Sequence, residues 1–300
     1  MANSGTDGKT PAGILVRRVT FEYPDDLAAH WHPDRPEWSQ VVNASSLLMP
    51  YLEPFLIQAV RDALPRITDP SLLEEAKAYI GQEAQHFRQH RRFNELIIAR
   101  GYEKLRAYER TLEADYERIR AERNADFRLA YAAAFETMAL AIGHMLVRFR
   151  REFFKGADPA VTSLVLWHFV EELEHKHAAF DVYQHVVGSY RLRIRVLGFT
   201  MFHTLRRTRQ AYKMLLVEDG RWAGLRTRWE LKKLMVRIFG YLTPWVLEAA
   251  TPWHRPQRFK DPDWVVDWIR LYDEGQGGLT ELDTARIDEM PSALVQSSPT

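Results

Sequence analysis

The chain has 300 residues, a formal net charge of +1 and no cysteine. That excludes disulfides, thiolate ligands and cysteine nucleophiles, so any metal must take oxygen and nitrogen donors. With 46% hydrophobic and 12% aromatic residues the chain can bury a large core, and its balanced charge gives no general pull toward nucleic acid.

Met1 to Pro11 is polar and reads as a disordered leader without the apolar run of a signal peptide. No uninterrupted apolar run reaches spanning length, and a cytoplasmic protein is the expectation. Ile14 to Tyr23 is β-prone and reads as an extended arm, followed by a loop from Pro24 to Pro36. A first helix is expected from Trp38 to Leu64, kinked by Pro50 and Pro54, with Glu53 on the same face as Ser46, Met49, Leu56, Ile57 and Val60. Asp69-Pro70-Ser71 starts a second helix that runs to Arg100 and stops at Gly101. Its inward stripe carries Ala76, Tyr79, Ile80, Glu83, His86, Phe87, His90 and Ile97.

Tyr102 to Asn124 is a charged, solvated surface helix. A third core helix, Asp126 to Phe153, carries Glu136 as the one acid of a stripe otherwise rich in alanine and glycine. Asp158-Pro159 opens a fourth, expected to continue to Gly188, and on it His168, Glu172 and His175 share one face. Helices follow over 190–217 and 221–249, then breaks at Pro244, Pro252 and Pro256, and a short helix from Asp261 to Tyr272. The organisation expected is a leader and arm over 1–36, a helical bundle over 37–188, C-terminal helices over 189–274 and a disordered tail over 275–300.

Glu53, Glu83, His86, Glu136, His168, Glu172 and His175 are therefore inward acids and imidazoles on four helices. Buried carboxylates are costly, and these stripes hold almost no Lys or Arg to balance them. Two divalent cations would. Bundles that hold two irons or manganeses use one Glu from each of two helices and Glu-x-x-His from each of the other two. Glu83-Ala84-Gln85-His86 and Glu172-Leu173-Glu174-His175 supply that spacing twice. Around these ligands, Glu171 and Glu174 read as outer partners or surface groups, and His90 as an outer partner or a satisfied core histidine. Asp181 is a candidate acceptor for the second ring nitrogen of His168. His177 reads as solvated, and His144 and His185 as structural.

The order Glu, Glu-x-x-His, Glu, Glu-x-x-His resembles the ferritin-like di-iron carboxylate superfamily, which implies an all-α bundle. His168, four residues before Glu172, resembles the third histidine of p-aminobenzoate N-oxygenase type enzymes. The stretch from Trp167-His168 through Glu174-His175-Lys176 to Ala179-Phe180-Asp181-Val182 also resembles a bacterial family named predicted metal-dependent hydrolase. The first resemblances imply two iron ions, with manganese or zinc as alternatives, and O2-activating oxidation of a small or apolar substrate. The last implies hydrolysis by a metal-activated water. A non-catalytic metal-binding scaffold is the third reading. Tyr79, Phe87 and Met49 are candidates to line an apolar pocket. The basic, apolar segments at 191–209 and 226–247 read as helices covering the bundle or forming a homodimer surface. The alternative is peripheral contact with the inner membrane face.

Overall fold

The computed structural model describes residues 13–275 and 279–291, so the leader and the end of the tail lie outside the described residues. Within them the protein is all-α, with no strand.

The arm is extended, and from Arg17 to Glu22 its side chains alternate between buried and exposed, so that Arg17, Val19 and Phe21 point inward. It lies along α3 (Pro70–Ala99). Two glutamines of that helix hold it: Gln82 Nε2 donates to the Leu15 carbonyl at 2.9 Å, and Gln89 Nε2 to that of Val19 at 2.8 Å. Gly81 makes room for it, since a Cβ there would stand 2.6 Å from Val16 Cγ2.

The expected first helix is two, α1 (Pro36–Ser46) and α2 (Met49–Ala63). Pro50 sits in the first turn of α2, where its missing N–H is harmless. Pro54 does lie inside α2, and the Pro50 carbonyl it leaves free accepts from Arg91 Nη2 at 3.4 Å. The charged segment forms α4 (Leu105–Glu122). The third core helix ends early: α5 (Ala125–Arg148) is followed by a separate short turn, α6 (Arg150–Phe154). α5 is long and apolar enough to cross a membrane by length and composition, but 72% of that window is buried inside the protein. A Cβ at Gly143 would meet Phe169 at 3.3 Å and Leu173 at 3.4 Å, which is how closely α5 approaches the next core helix.

That next helix also divides, into α7 (Pro159–Glu174) and α8 (Ala178–Val186), with His175 at the break. No Pro or Gly marks the division. Lys176 turns away instead, its ammonium bonded to the Phe259 carbonyl at 3.0 Å and to Asp261 at 2.5 Å. α2, α3, α5 and the α7–α8 pair pack on one another and enclose the centre.

α9 (Tyr190–Glu218) and α10 (Leu225–Ala249) lie outside this group, each packed on α1 and α5. Pro244, expected to break the pattern, sits on the exposed side of α10 without ending it. α11 (Asp263–Asp273) packs on α7. The tail was expected to be disordered from 275; its described part is not. Leu279, Leu282, Ile287 and Met290 are buried, and Thr284 bonds the Ala157 carbonyl at 2.7 Å. Four spaced apolar side chains suffice to dock a segment too short for a periodicity argument.

Candidate metal centre

All seven candidate ligands are buried, and they face one another. Glu53 comes from α2, Glu83 and His86 from α3, Glu136 from α5, His168 and Glu172 from α7, and His175 from the residue that ends α7. One donor atom from each of Glu83, Glu136, Glu172 and His175 lies within 4.8 Å of the others, and the same holds for Glu53, His86 and His168. The two groups adjoin. Glu172 Oε1 is 3.2 Å from His168 Nε2 and 3.5 Å from His86 Nδ1, while its Oε2 is 3.4 Å from His175 Nε2. Glu83 Oε1 stands 3.5 Å from His86 Nδ1 and 3.4 Å from His175 Nε2.

These donors fit a metal. Both oxygens of Glu53 and Glu83, one oxygen each of Glu136 and Glu172, His86 Nδ1 and His175 Nε2 are buried without a hydrogen-bond partner. Orphaned buried acceptors are expensive. Two donors that share an ion at about 2.0–2.2 Å stand roughly 3.0–3.5 Å apart, and most spacings just given fall there.

Each imidazole keeps one nitrogen for the cluster and gives the other away, which fixes its tautomer. His86 Nε2 donates to Glu171 at 2.9 Å, and His175 Nδ1 to Gln82 Oε1 at 2.8 Å. His168 Nδ1 donates to His90 Nε2 at 2.9 Å. His90 Nδ1 then donates to Ser46 Oγ at 2.8 Å, and Ser46 Oγ to Asn94 Oδ1 at 2.6 Å. The acceptor for His168 is thus His90 and not Asp181, which bonds Gln257 and faces His177 from the far side of the break. His177 is half-buried between Asp181 and Glu75 rather than solvated. His144 packs at a tilt against Trp245, with ring centroids 4.8 Å apart, and His185 accepts from the Thr68 backbone N–H.

Behind the ligands lies a second layer that helical periodicity does not reveal. Arg17, from the arm, is fully buried and binds Glu174 through its two terminal guanidinium nitrogens, at 2.7 and 2.8 Å, and Glu171 at 3.2 Å. Gln82 Nε2 donates to Glu174 at 2.6 Å. A continuous chain therefore runs from His175 through Gln82, Glu174, Arg17 and Glu171 to His86. Alternation along the arm was the available signal, since it places Arg17 on the same side as Val19 and Phe21.

The electrostatics match the crowding. Burial, reinforced by Glu83, pushes the Glu53 carboxyl well above the usual range, and burial with Glu172 does the same to Glu136. Burial opposes charge on His86 and His175, yet the hydrogen bond that His86 donates to Glu171, with Glu172 and Glu83 beside it, and the charge of Glu172 next to His175 raise both well above an ordinary imidazole. Burial and the neighbouring histidines lower His168 and His90. Excess negative potential of this kind holds protons, or it holds a cation. Tyr79 donates to Glu136 Oε1 at 2.7 Å and packs edge-on against His175.

A cavity of about 440 Å³ leads from His168, His90 and Ser46 to the gap between α9 and α10. Met49, Phe93, Phe135, Met138 and Ile142 line its body, and Arg209 is its single charged residue. Of the three side chains expected to line a pocket, Met49 does; Tyr79 is turned to Glu136, and Phe87 lies elsewhere.

An all-helical protein with a buried cluster of carboxylates and imidazoles, open on one side to an apolar cavity, is of the class that binds metals within a helical core. The chain belongs to the family described as predicted metal-dependent hydrolase, whose model matches residues 15–259. No curated protein and no solved structure matches it.

Proposed function

We propose that the chain is a dinuclear metal enzyme that hydrolyses a predominantly apolar substrate held in the cavity. Glu53, Glu83, His86, Glu136, His168, Glu172 and His175 would hold the two ions. The observation that carries this reading is the set of orphaned buried donors spaced as a common ion requires. The order of ligands on the chain supports a ferritin-like arrangement, and iron is the metal favoured, with manganese or zinc as alternatives. Hydrolysis accords with the family description. When bound, the ions would supply a Lewis acid and an activated water.

The chain's own residues do the rest. Glu171, Gln82 and His90 aim the three imidazoles. Tyr79 orients Glu136 and holds a proton against it. Ser46 and His90 present the polar groups at the inner end of the cavity, where the reactive end of a substrate would lie, and the apolar walls exclude water from its body.

O2-activating oxidation is the second reading, favoured by three imidazoles in the donor set and an apolar approach to them. Turnover of para-nitrophenyl esters of medium-chain acids under argon is expected from hydrolysis. Consumption of O2 by the ferrous protein without ester turnover would replace it with oxidation. Glu136→Ala or His175→Ala is expected to remove metal and activity without unfolding the chain, read by elemental analysis and circular dichroism. Unchanged stoichiometry in both would refute the ligand assignment.

A further inference from the structure

α10 has the wrong surface for a helix that merely covers a bundle. Of its 25 residues only Thr227, Leu231 and Ala249 are buried. Its large apolar residues do not all face the protein. Leu225, Trp229, Val236, Phe239 and Leu247 are between 43% and 82% exposed. At 100° per residue they fall within roughly 80° of one another, a stripe about 33 Å long on the outer face. α9 adds Phe202 and Leu205, both exposed.

The same two helices concentrate positive charge. α9 has seven basic residues and one acidic, α10 five and two, in a chain whose net charge is +1. Arg207, Lys233 and Arg237 pair with carboxylates. Arg206, Arg209, Arg226 and Arg228 make no ion pair among the described residues. Lys232 lies over the Trp229 ring, inside the stripe. The cavity opens between these helices: exposed Leu205 and Arg209 of α9 and Phe239 of α10 all line it.

We propose that the outer face of α9 and α10 docks on an anionic lipid bilayer, and that the cavity mouth between them takes an acyl chain from it. An apolar stripe flanked by unpaired bases matches the boundary between headgroups and chains, with the bases on lipid phosphates. A second copy of the chain fits less well, because an isologous contact would bring two such basic faces together. It would also cover the mouth. The narrow apolar cavity suits a single acyl chain whose ester end lies inward, at Ser46 and His90, where the reactive end is placed above. The proposal deepens the substrate assignment above, but docking does not depend on the metal.

The test is co-sedimentation of the full chain with vesicles of phosphatidylglycerol and phosphatidylcholine in equal parts, and with phosphatidylcholine alone. Binding to the anionic vesicles at low salt, falling as salt rises, is expected. Each base near the surface is worth about fivefold in affinity, so Arg228→Glu with Lys232→Glu should weaken binding at least about 25-fold. Val236→Glu, on the exposed stripe, should weaken it without altering the melting temperature. No sedimentation at low salt, or equal binding to neutral vesicles, overturns the proposal. So does a dimer in solution that Val236→Glu dissociates and that vesicles leave intact. For the cavity, uptake of a fluorescent long-chain fatty acid should fall in Met235→Trp while vesicle binding persists; unchanged uptake overturns the acyl-chain assignment. Metal content measured on the same samples separates a failure of docking from a failure of the metal reading.

Discussion

Replacing Arg17 with methionine removes the guanidinium that compensates Glu171 and Glu174 and keeps most of the volume. Arg17 is 1% exposed, and the side chains of its two partners are 0% and 7% exposed. A pair of unit charges about 4 Å apart attracts by about 4 kcal/mol at an effective dielectric near 20, and desolvation offsets part of this. The guanidinium also lies over the Trp268 and Tyr272 rings, at 5.6 and 5.1 Å, so its stem and face are packed as well as paired. Removing one partner of a buried pair strands the other, which typically costs about 3–5 kcal/mol. We expect Arg17→Met to lose that much in urea unfolding. Arg17→Met with Glu174→Gln should recover part of it, because one of the two stranded charges is gone. Metal affinity should fall by about 10–100-fold, since Glu171 then holds His86 less firmly. A loss below about 1 kcal/mol, or double-mutant coupling near zero, would refute the claim that this ion-pair layer braces the ligands.

Gly81→Ala separates local from tertiary effects by sign. In a free helix the change stabilises by about 1 kcal/mol, whereas the clash with Val16 should make it a net loss of about 1–3 kcal/mol and loosen the arm to protease. A gain in stability would show that the arm does not press on α3. Asp115 accepts from His203 at 2.6 Å, from Arg118 at 2.5 Å and from Arg207 at 2.7 Å; burial opposes its charge, but these donors hold its carboxyl well below the usual range. A depressed folded value stabilises above the unfolded value of about 3.9 and ceases to do so as pH falls toward the folded one. The stability gap between the wild type and Asp115→Asn should therefore be full at neutral pH and narrow below about pH 4, whereas a gap constant with pH would refute the assignment.

The centre was legible because its ligands obey helical spacing. Glu83 and His86, or Glu172 and His175, can be read as one face without knowing what lies opposite. That face survives the break after Glu174, since His175 N–H still bonds the Glu171 carbonyl at 3.0 Å. What could not be read came from contacts distant in sequence. Arg17 acts across 154 residues on Glu171, from a segment whose extended form says nothing about its neighbour. The division between α7 and α8 has no local breaker and coincides with Lys176 reaching Phe259 and Asp261. Asp181 was a candidate acceptor for His168 that spacing could not place, since a continuous helix would set the two about 20 Å apart, and the partner came from α3. The tail at 279–291 resembles a linker in composition and docks through four apolar residues. Periodicity reports which side of an element is inward, and nothing about what crosses to meet it.

The most direct measurement is the metal content of the purified chain beside that of Glu172→Ala, by elemental analysis after loading and desalting. Two ions per chain are predicted for the wild type, as in bundles built on paired Glu-x-x-His helices. The variant should retain at most one, because Glu172 faces both groups of donors. A wild-type chain that retains no metal, or a variant that retains as much as the wild type, would contradict the account.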